Sequence, residues 1–142
     1  MTVMLRGRAA RDLAKRLGIK LGGNKMGAKR SRCAAGHYHP SKGEAAYCNH
    51  LHLRQRAREI KDLEVNPTIP LWKGRRYKAD FRYIETPFNR LVVEEFKGFE
   101  TRDWVLVRKA WPEYGRGFLR QTHQKPGGGF FVKREIAGRW AR

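Results

Sequence analysis

A chain of 142 residues suits one compact domain, and 40% hydrophobic content allows only a modest core. Its 32 Lys+Arg against 13 Asp+Glu leave a net charge of +19, a field that draws polyanions and makes nucleic acid the expected partner. No apolar run approaches a membrane span, the N-terminus lacks a continuous apolar signal core, and two cysteines make no disulfide framework. A reduced cytoplasmic setting is therefore expected, although the basic start MTVMLRGRAARDLAKRLGIKLGG also has the look of a transit peptide.

The charge is unevenly placed. Residues 1–43 hold eleven Lys/Arg and one acid, Asp12, and residues 116–142 hold seven and one, Glu135, so the acids concentrate between. Residues 1–35 read as a basic arm, in part helical from Leu5, Leu13, Leu17 and Leu21, and broken by Gly22-Gly23. Arg6, Arg8, Arg11, Lys25, Lys29, Arg30 and Arg32 are expected to contact phosphate, with Lys42 and Lys109 further on. Twenty of the 32 cations are Arg, whose planar fork matches phosphate oxygens.

Residues 36–115 read as the core. A helix is predicted over 41–58, with Ser41 as N-cap and Ser41/Glu44 as an S-x-x-E capping box. Ile60, Leu63, Val65, Ile69 and Leu71, interrupted by Pro67 and Pro70, predict short extended pieces at an edge or bend. Residues 76–84 and 90–97 predict two strands, joined as a hairpin by Thr86-Pro87-Phe88-Asn89. RDWVLVRKAW, 102–111, predicts a second helix, capped by Thr101 and ended by Gly115 and Gly117, with Trp104 and Trp111 as packing residues. Residues 116–142 read as a basic extension that could add a last strand at Phe130-Phe131-Val132, with Trp140 placed to stack on an unpaired base.

The acids of the hairpin carry the functional question. Alternation puts Tyr77, Ala79, Phe81 and Tyr83 on one face with Asp80 opposite, and puts Leu91, Val93, Glu95 and Lys97 on a face that excludes Glu94. Glu94 is expected to face solvent. Strands paired around the turn bring Asp80 close to Glu95, and two close carboxylates call for a cation or a proton between them. Oxygen ligands of this kind suit Mg²⁺ or Mn²⁺, and Lys97 is positioned to stabilise phosphate charge. The plainer alternative is a strand-borne Glu95–Lys97 salt bridge, with Asp80 paired to a neighbouring cation.

Asp80 followed by Glu95-Phe96-Lys97 resembles the signature of the PD-(D/E)XK nucleases. NKMGAKR at 24–30, HPSKGEAAYCNHL at 39–51, REIKDLEVNP at 58–67, YKADFRYIE at 77–85 and VVEEFKGFET at 92–101 are together similar to a small phage-encoded branch of that superfamily. The likeness covers about residues 24–115, and its nearest functional relatives are Holliday-junction resolvases. It implies an α/β fold, a core helix followed by a mixed central sheet flanked by helices, and the basic extensions at both ends lie outside it. It also implies Mg²⁺-dependent hydrolysis of DNA, with Mn²⁺ as a substitute. Asp80, Glu95 and the Phe96 carbonyl would hold the metal, Lys97 would be the catalytic lysine, and Glu44 would join the site directly or through water. Glu44 keeps a rival role as the second half of the capping box. Gly43 and Asn66, before Pro67, depart from the pattern.

Cys33, His37, Cys48 and His52 form C-x3-H…C-x3-H, all zinc-ligand types in an order that fits no common finger. The bland alternative is a buried Cys48 with histidines that touch phosphate or solvent. His37-Tyr38-His39 and Asn49-His50 lack the compact hairpin that a histidine-based nuclease needs. The expectation is a phage DNA endonuclease acting on four-way junctions as a homodimer in the host cytoplasm, with no membrane partner. The alternatives are a general or nicking endonuclease and a non-catalytic basic nucleic-acid-binding protein.

Overall fold

The computed structural model describes Arg16, residues 30–96 and residues 100–139. Among them stand nine strands and two helices: β1 (Ser31–Arg32), β2 (Tyr38–His39), α1 (Lys42–Arg56), β3 (Ile60–Val65), β4 (Thr68–Pro70), β5 (Arg76–Lys78), β6 (Phe81–Glu85), β7 (Arg90–Phe96), α2 (Arg102–Tyr114), β8 (Phe118–Gln124) and β9 (Phe130–Ala137). Five strands form one mixed sheet in the order β3-β6-β7-β8-β9, antiparallel except for the parallel β7–β8 pair. The pairs β1–β2 and β4–β5 are separate two-stranded ribbons. The protein is thus an α/β domain, and α2 is the crossover that a parallel β7–β8 connection requires.

Each helix carries an apolar stripe at helical spacing. In α1, Tyr47, Cys48 and Leu51 are buried with Phe81, Tyr83 and Val92 of the sheet. In α2, Trp104, Val107 and Trp111 are buried with Val93, Leu119 and Ile69. Val92 and Val93 are sequential, so the two helices cover opposite faces of β7. Fully buried Phe81, Tyr83 and Trp111 each contribute on the order of 2 kcal/mol through apolar burial.

The helix starts follow the sequence. The Ser41 side chain accepts from Glu44 N–H at 3.1 Å, and Thr101 accepts from Trp104 N–H at 3.2 Å. Gly43 has a steric reason to be there. A Cβ on it would come within 3.2 Å of the Phe96 ring and displace the exposed Gln124 amide from 2.8 Å, because the start of α1 presses on the ends of β7 and β8. Asn66 has a conformational reason, φ of 55°, a left-handed backbone that Asn tolerates better than most residues.

Two expectations are corrected and one is extended. Residues 76–84 are not one strand: β5 and β6 are separated by a bend at Asp80, where Asn66 N–H reaches the Asp80 carbonyl at 2.8 Å and Ala79 N–H the Pro67 carbonyl at 3.1 Å. Tyr77 and Ala79 therefore join the core under α2, while Phe81 and Tyr83 join the core under α1. The last strand expected at Phe130-Phe131-Val132 is there, as β9, and it pairs with β8 (118–124), a strand the sequence did not announce. Glu94 does not face solvent and is completely buried.

Candidate active site and metal centres

The β6–β7 register pairs Phe81 with Glu94, which sets Asp80 opposite Glu95 at the end of the ladder. Asp80 Oδ2 accepts from Phe96 N–H at 2.8 Å. Glu95 is buried, and its Oε1 accepts from the Tyr77 hydroxyl. Burial raises the Tyr77 phenol well above its ordinary value, and the charges of Glu95 and Asp80 raise it further. Tyr77 therefore stays a neutral donor and marks the point where both carboxylates converge. The sheet thus brings Asp80, Glu95 and the Phe96 backbone to one place.

That place borders a cleft of about 330 Å³ lined by Arg75, Arg76, Tyr77, Lys78, Glu95 and the start of α2 at Thr101 and Asp103. Arg75, Arg76 and Lys78 are exposed, and Arg75 lies 5.6 Å from the Trp72 ring centroid. These cations escaped the sequence reading. Their signal was their nearness to Asp80, but within a +19 chain no individual Lys or Arg stands out.

The donor set suits a hard divalent cation. Asp80 and Glu95 are oxygen donors oriented by the Phe96 backbone N–H and the Tyr77 phenol. Lys97 lies outside the described residues, as do Arg6, Arg8, Arg11, Lys25, Lys29 and Trp140. Arg30, Arg32, Lys42 and Lys109 are exposed, and Arg30 and Arg32 stack over Tyr38 at 4.6 and 5.5 Å from its ring centroid.

Glu44 is buried in the first turn of α1, where its Oε2 is 2.8 Å from His39 Nδ1. It belongs to a second constellation, under α1. Ligand atoms of Cys33, His37, His39 and Cys48 all lie within 4.8 Å of one another. Burial opposes ionisation of Cys33, but the neighbouring His39 and Cys48 and the backbones of His37 and Ala35 outweigh it and bring its thiol down to about 7. Burial and the neighbouring Cys33 push the Cys48 thiol up to about 12. His52 Nδ1 is 2.8 Å from the carbonyl of Cys48, one helical turn back. His39 thus stands in the cluster where the sequence spacing suggested His52.

A buried polar network centres on Glu94. Glu94 accepts from Tyr47 at 2.6 Å, Tyr83 at 2.8 Å and Thr122 at 2.5 Å. Burial raises its carboxyl above the ordinary value, against the lowering effect of these hydroxyls.

No family model, curated protein or solved structure matches this chain. No described helix is long and apolar enough to cross a membrane. The α/β architecture with a mixed five-stranded sheet is what the structure defines.

Proposed function

We propose that this chain is a metal-dependent DNA endonuclease, with branched DNA as its favoured substrate. The observation that carries the reading is the convergence of Asp80 and Glu95 at the end of the β6–β7 ladder, beside a cleft edged by Arg75, Arg76 and Lys78. Scarce acids packed under exposed cations make sense where a phosphate must meet a cation site. A protein that only binds nucleic acid has no use for a buried Glu95 beside a half-buried Asp80 there. Asp80, Glu95 and the Phe96 carbonyl would hold Mg²⁺, or Mn²⁺ in its place. When bound, the ion supplies Lewis-acid polarisation of the phosphate and lowers the pKa of water. Tyr77 and Phe96 N–H fix the two carboxylates, and Arg75, Arg76 and Lys78 hold the substrate backbone. Lys97, two residues past Glu95, is the residue proposed to stabilise the developing phosphate charge.

Branched DNA is favoured because the described residues contain no base-reading module, which leaves shape as the natural basis of choice. Symmetric cutting of a junction needs two sites, and a homodimer would supply them.

The test is cleavage of an end-labelled four-way junction beside a matched linear duplex, with Mg²⁺ or EDTA, by the native chain and by Glu95→Ala. Paired cuts near the crossover are expected, absent with EDTA and reduced by about 10²–10³-fold or more in the variant. Equal cutting of both substrates would mean a general nuclease. Tight binding without cutting would leave the protein a non-catalytic binder.

A further inference from the structure

We infer that Cys33, His37, His39 and Cys48 form a structural zinc site, with Glu44 as the carboxylate that orients the histidine ligand. The inference goes beyond the nuclease reading and does not depend on it.

The topology is that of a metal-pinned hairpin and helix. Cys33 follows β1, His37 closes the turn, His39 ends β2, and Cys48 sits on the second turn of α1. Cys33 N–H bonds the His37 carbonyl at 2.9 Å, and Gly36, at φ 94°, lets the loop close tightly. The hairpin is tied to the helix by Ala34 N–H to Asn49 Oδ1 at 2.8 Å. Two-residue strands have little holding power of their own. A metal across the turn would supply what this short ribbon lacks.

Distances decide between a cluster that a metal could fill and an accidental gathering. Tetrahedral zinc, with Zn–S of about 2.3 Å and Zn–N of about 2.0–2.1 Å, separates its ligand atoms by roughly 3.3–3.8 Å. His37 Nδ1 lies 3.4 Å from Cys33 Sγ and 3.9 Å from Cys48 Sγ, close to tetrahedral edges, and all four ligand atoms lie within 4.8 Å of one another, so that small side-chain shifts close the set. The Cys33 sulfur also accepts from His37 N–H at 3.3 Å, a bond that stabilises a thiolate. The two cysteines form no disulfide.

His39 supplies the independent sign. It is 1% exposed, and its Nε2 has no hydrogen-bond partner among the described residues. A buried, unpartnered imidazole nitrogen is costly. Its other nitrogen, Nδ1, meets the Glu44 carboxylate at 2.8 Å. That bond fixes the proton on Nδ1 and leaves the Nε2 lone pair for a ligand. Carboxylate–histidine–metal triads are built in this way. Two thiolates and two neutral imidazoles make a closed N₂S₂ set, which suits zinc and leaves no open position for catalysis. Binding takes both cysteines as thiolates and releases to solvent the thiol protons they still carry.

The test measures zinc per chain in the full-length protein and titrates cobalt(II) into reduced, metal-stripped protein. One zinc per chain is expected, with a lowered melting temperature after chelation. Cobalt should give intense tetrahedral ligand-field bands and a thiolate charge-transfer band. Cys33→Ser and Cys48→Ser should lose the charge-transfer intensity, while His52→Gln should keep the full spectrum. Glu44→Gln should weaken zinc about 10–100-fold in competition with a chromophoric chelator. Should the cysteine variants not fold, the native chain decides: no zinc, and a cobalt spectrum without thiolate charge transfer, would overturn the site. Loss of the spectrum in His52→Gln with retention in His39→Gln would overturn the choice of ligand. None of these readouts involves DNA cleavage.

Discussion

Glu94 shows how a residue's environment decides its chemistry. Beside it in sequence, Glu95 faces the cleft under α2, but Glu94 points under α1 into the hydroxyls of Tyr47, Tyr83 and Thr122. Burial raises its carboxyl above the ordinary 4.5. A carboxyl with a raised folded value binds its proton more tightly in the folded state. Its stability contribution is complete below the unfolded value and declines as pH rises through the folded one. Glu94→Gln, which cannot titrate, should therefore lose less stability than the native chain between pH 5 and 8, read from urea unfolding at both pH values. Parallel losses would show that the hydroxyls fully offset the burial. Glu94→Ala should cost about 3 kcal/mol or more, since it strands buried donors. Alternation could not assign Glu94 and Glu95 to solvent and site, because β7 is covered on both faces and buries both. Asp80 and Glu95 were legible because a hairpin register follows from its turn. His39 was not, because sequence spacing favoured His52 at one helical turn from Cys48, and nothing in the sequence shows that His52 bonds its own helix backbone.

At the scale of elements, Arg120 explains why β8 escaped the sequence reading. FLRQTHQ buries Arg120, Gln121 and Thr122, polar residues that read as surface until their partners are known. Arg120 reaches across β7 to grip Glu85 of β6 at 2.8 and 3.0 Å, and it bonds Glu135 of β9 at 2.9 Å through Nε. One guanidinium thus ties three strands together, and Tyr83 receives a further bond from it at 3.1 Å. The helices and the hairpin were readable from local signals, namely caps, stripes and a turn. The place of β8 depended on residues some thirty positions away. Burial opposes the Glu85 charge, but the Arg120 fork, with Arg54 and Arg90, outweighs it and lowers the Glu85 carboxyl. A lowered carboxyl contributes stability above its unfolded value and loses it as pH falls through the folded one. Glu85→Gln should therefore be less stable than the native chain at pH 7, with the gap closing below pH 4, as followed by thermal melts across that range. Arg120→Met should cost about 3 kcal/mol at neutral pH, because half-buried Glu85 loses its two-pronged partner and keeps only the longer contact with Arg54 at 3.5 Å. A variant as stable as the native chain would mean that the three strands hold their register without this bridge.

For the whole molecule, the question is what a charge of +19 does when most of the few acids are already engaged. Glu59 pairs with Arg54, Glu64 with Arg82, Glu100 with Arg108 and Arg134, and Glu135 with Arg90 and Arg120. Glu44, Glu94 and Glu95 are buried. Pairing spends the acids on cations of the sheet and helices, which leaves the exposed lysines and arginines to set the outer field. Affinity for DNA should then be dominated by counterion release, falling linearly in log–log terms with salt by about 0.9 per phosphate neutralised. Arg75, Arg76 and Lys78 offer a local test, because they edge the cleft that holds Glu95. The triple change of these residues to Ala should reduce the salt slope by up to about 3 in metal-free binding to duplex DNA. It should also slow cleavage by more than the loss of binding, because the cleft cations would no longer seat the scissile phosphate over Asp80 and Glu95. Lys109→Ala, on the exposed face of α2, should change the slope by about 1 at most and leave turnover at saturating DNA unchanged. Asp80→Ala should do the reverse of the cleft triple, tightening metal-free binding while abolishing cleavage. Were the triple to lose binding only in proportion to its charge, with turnover at saturating DNA intact, the cleft would be one more patch of a basic surface and the scissile phosphate would have to sit elsewhere.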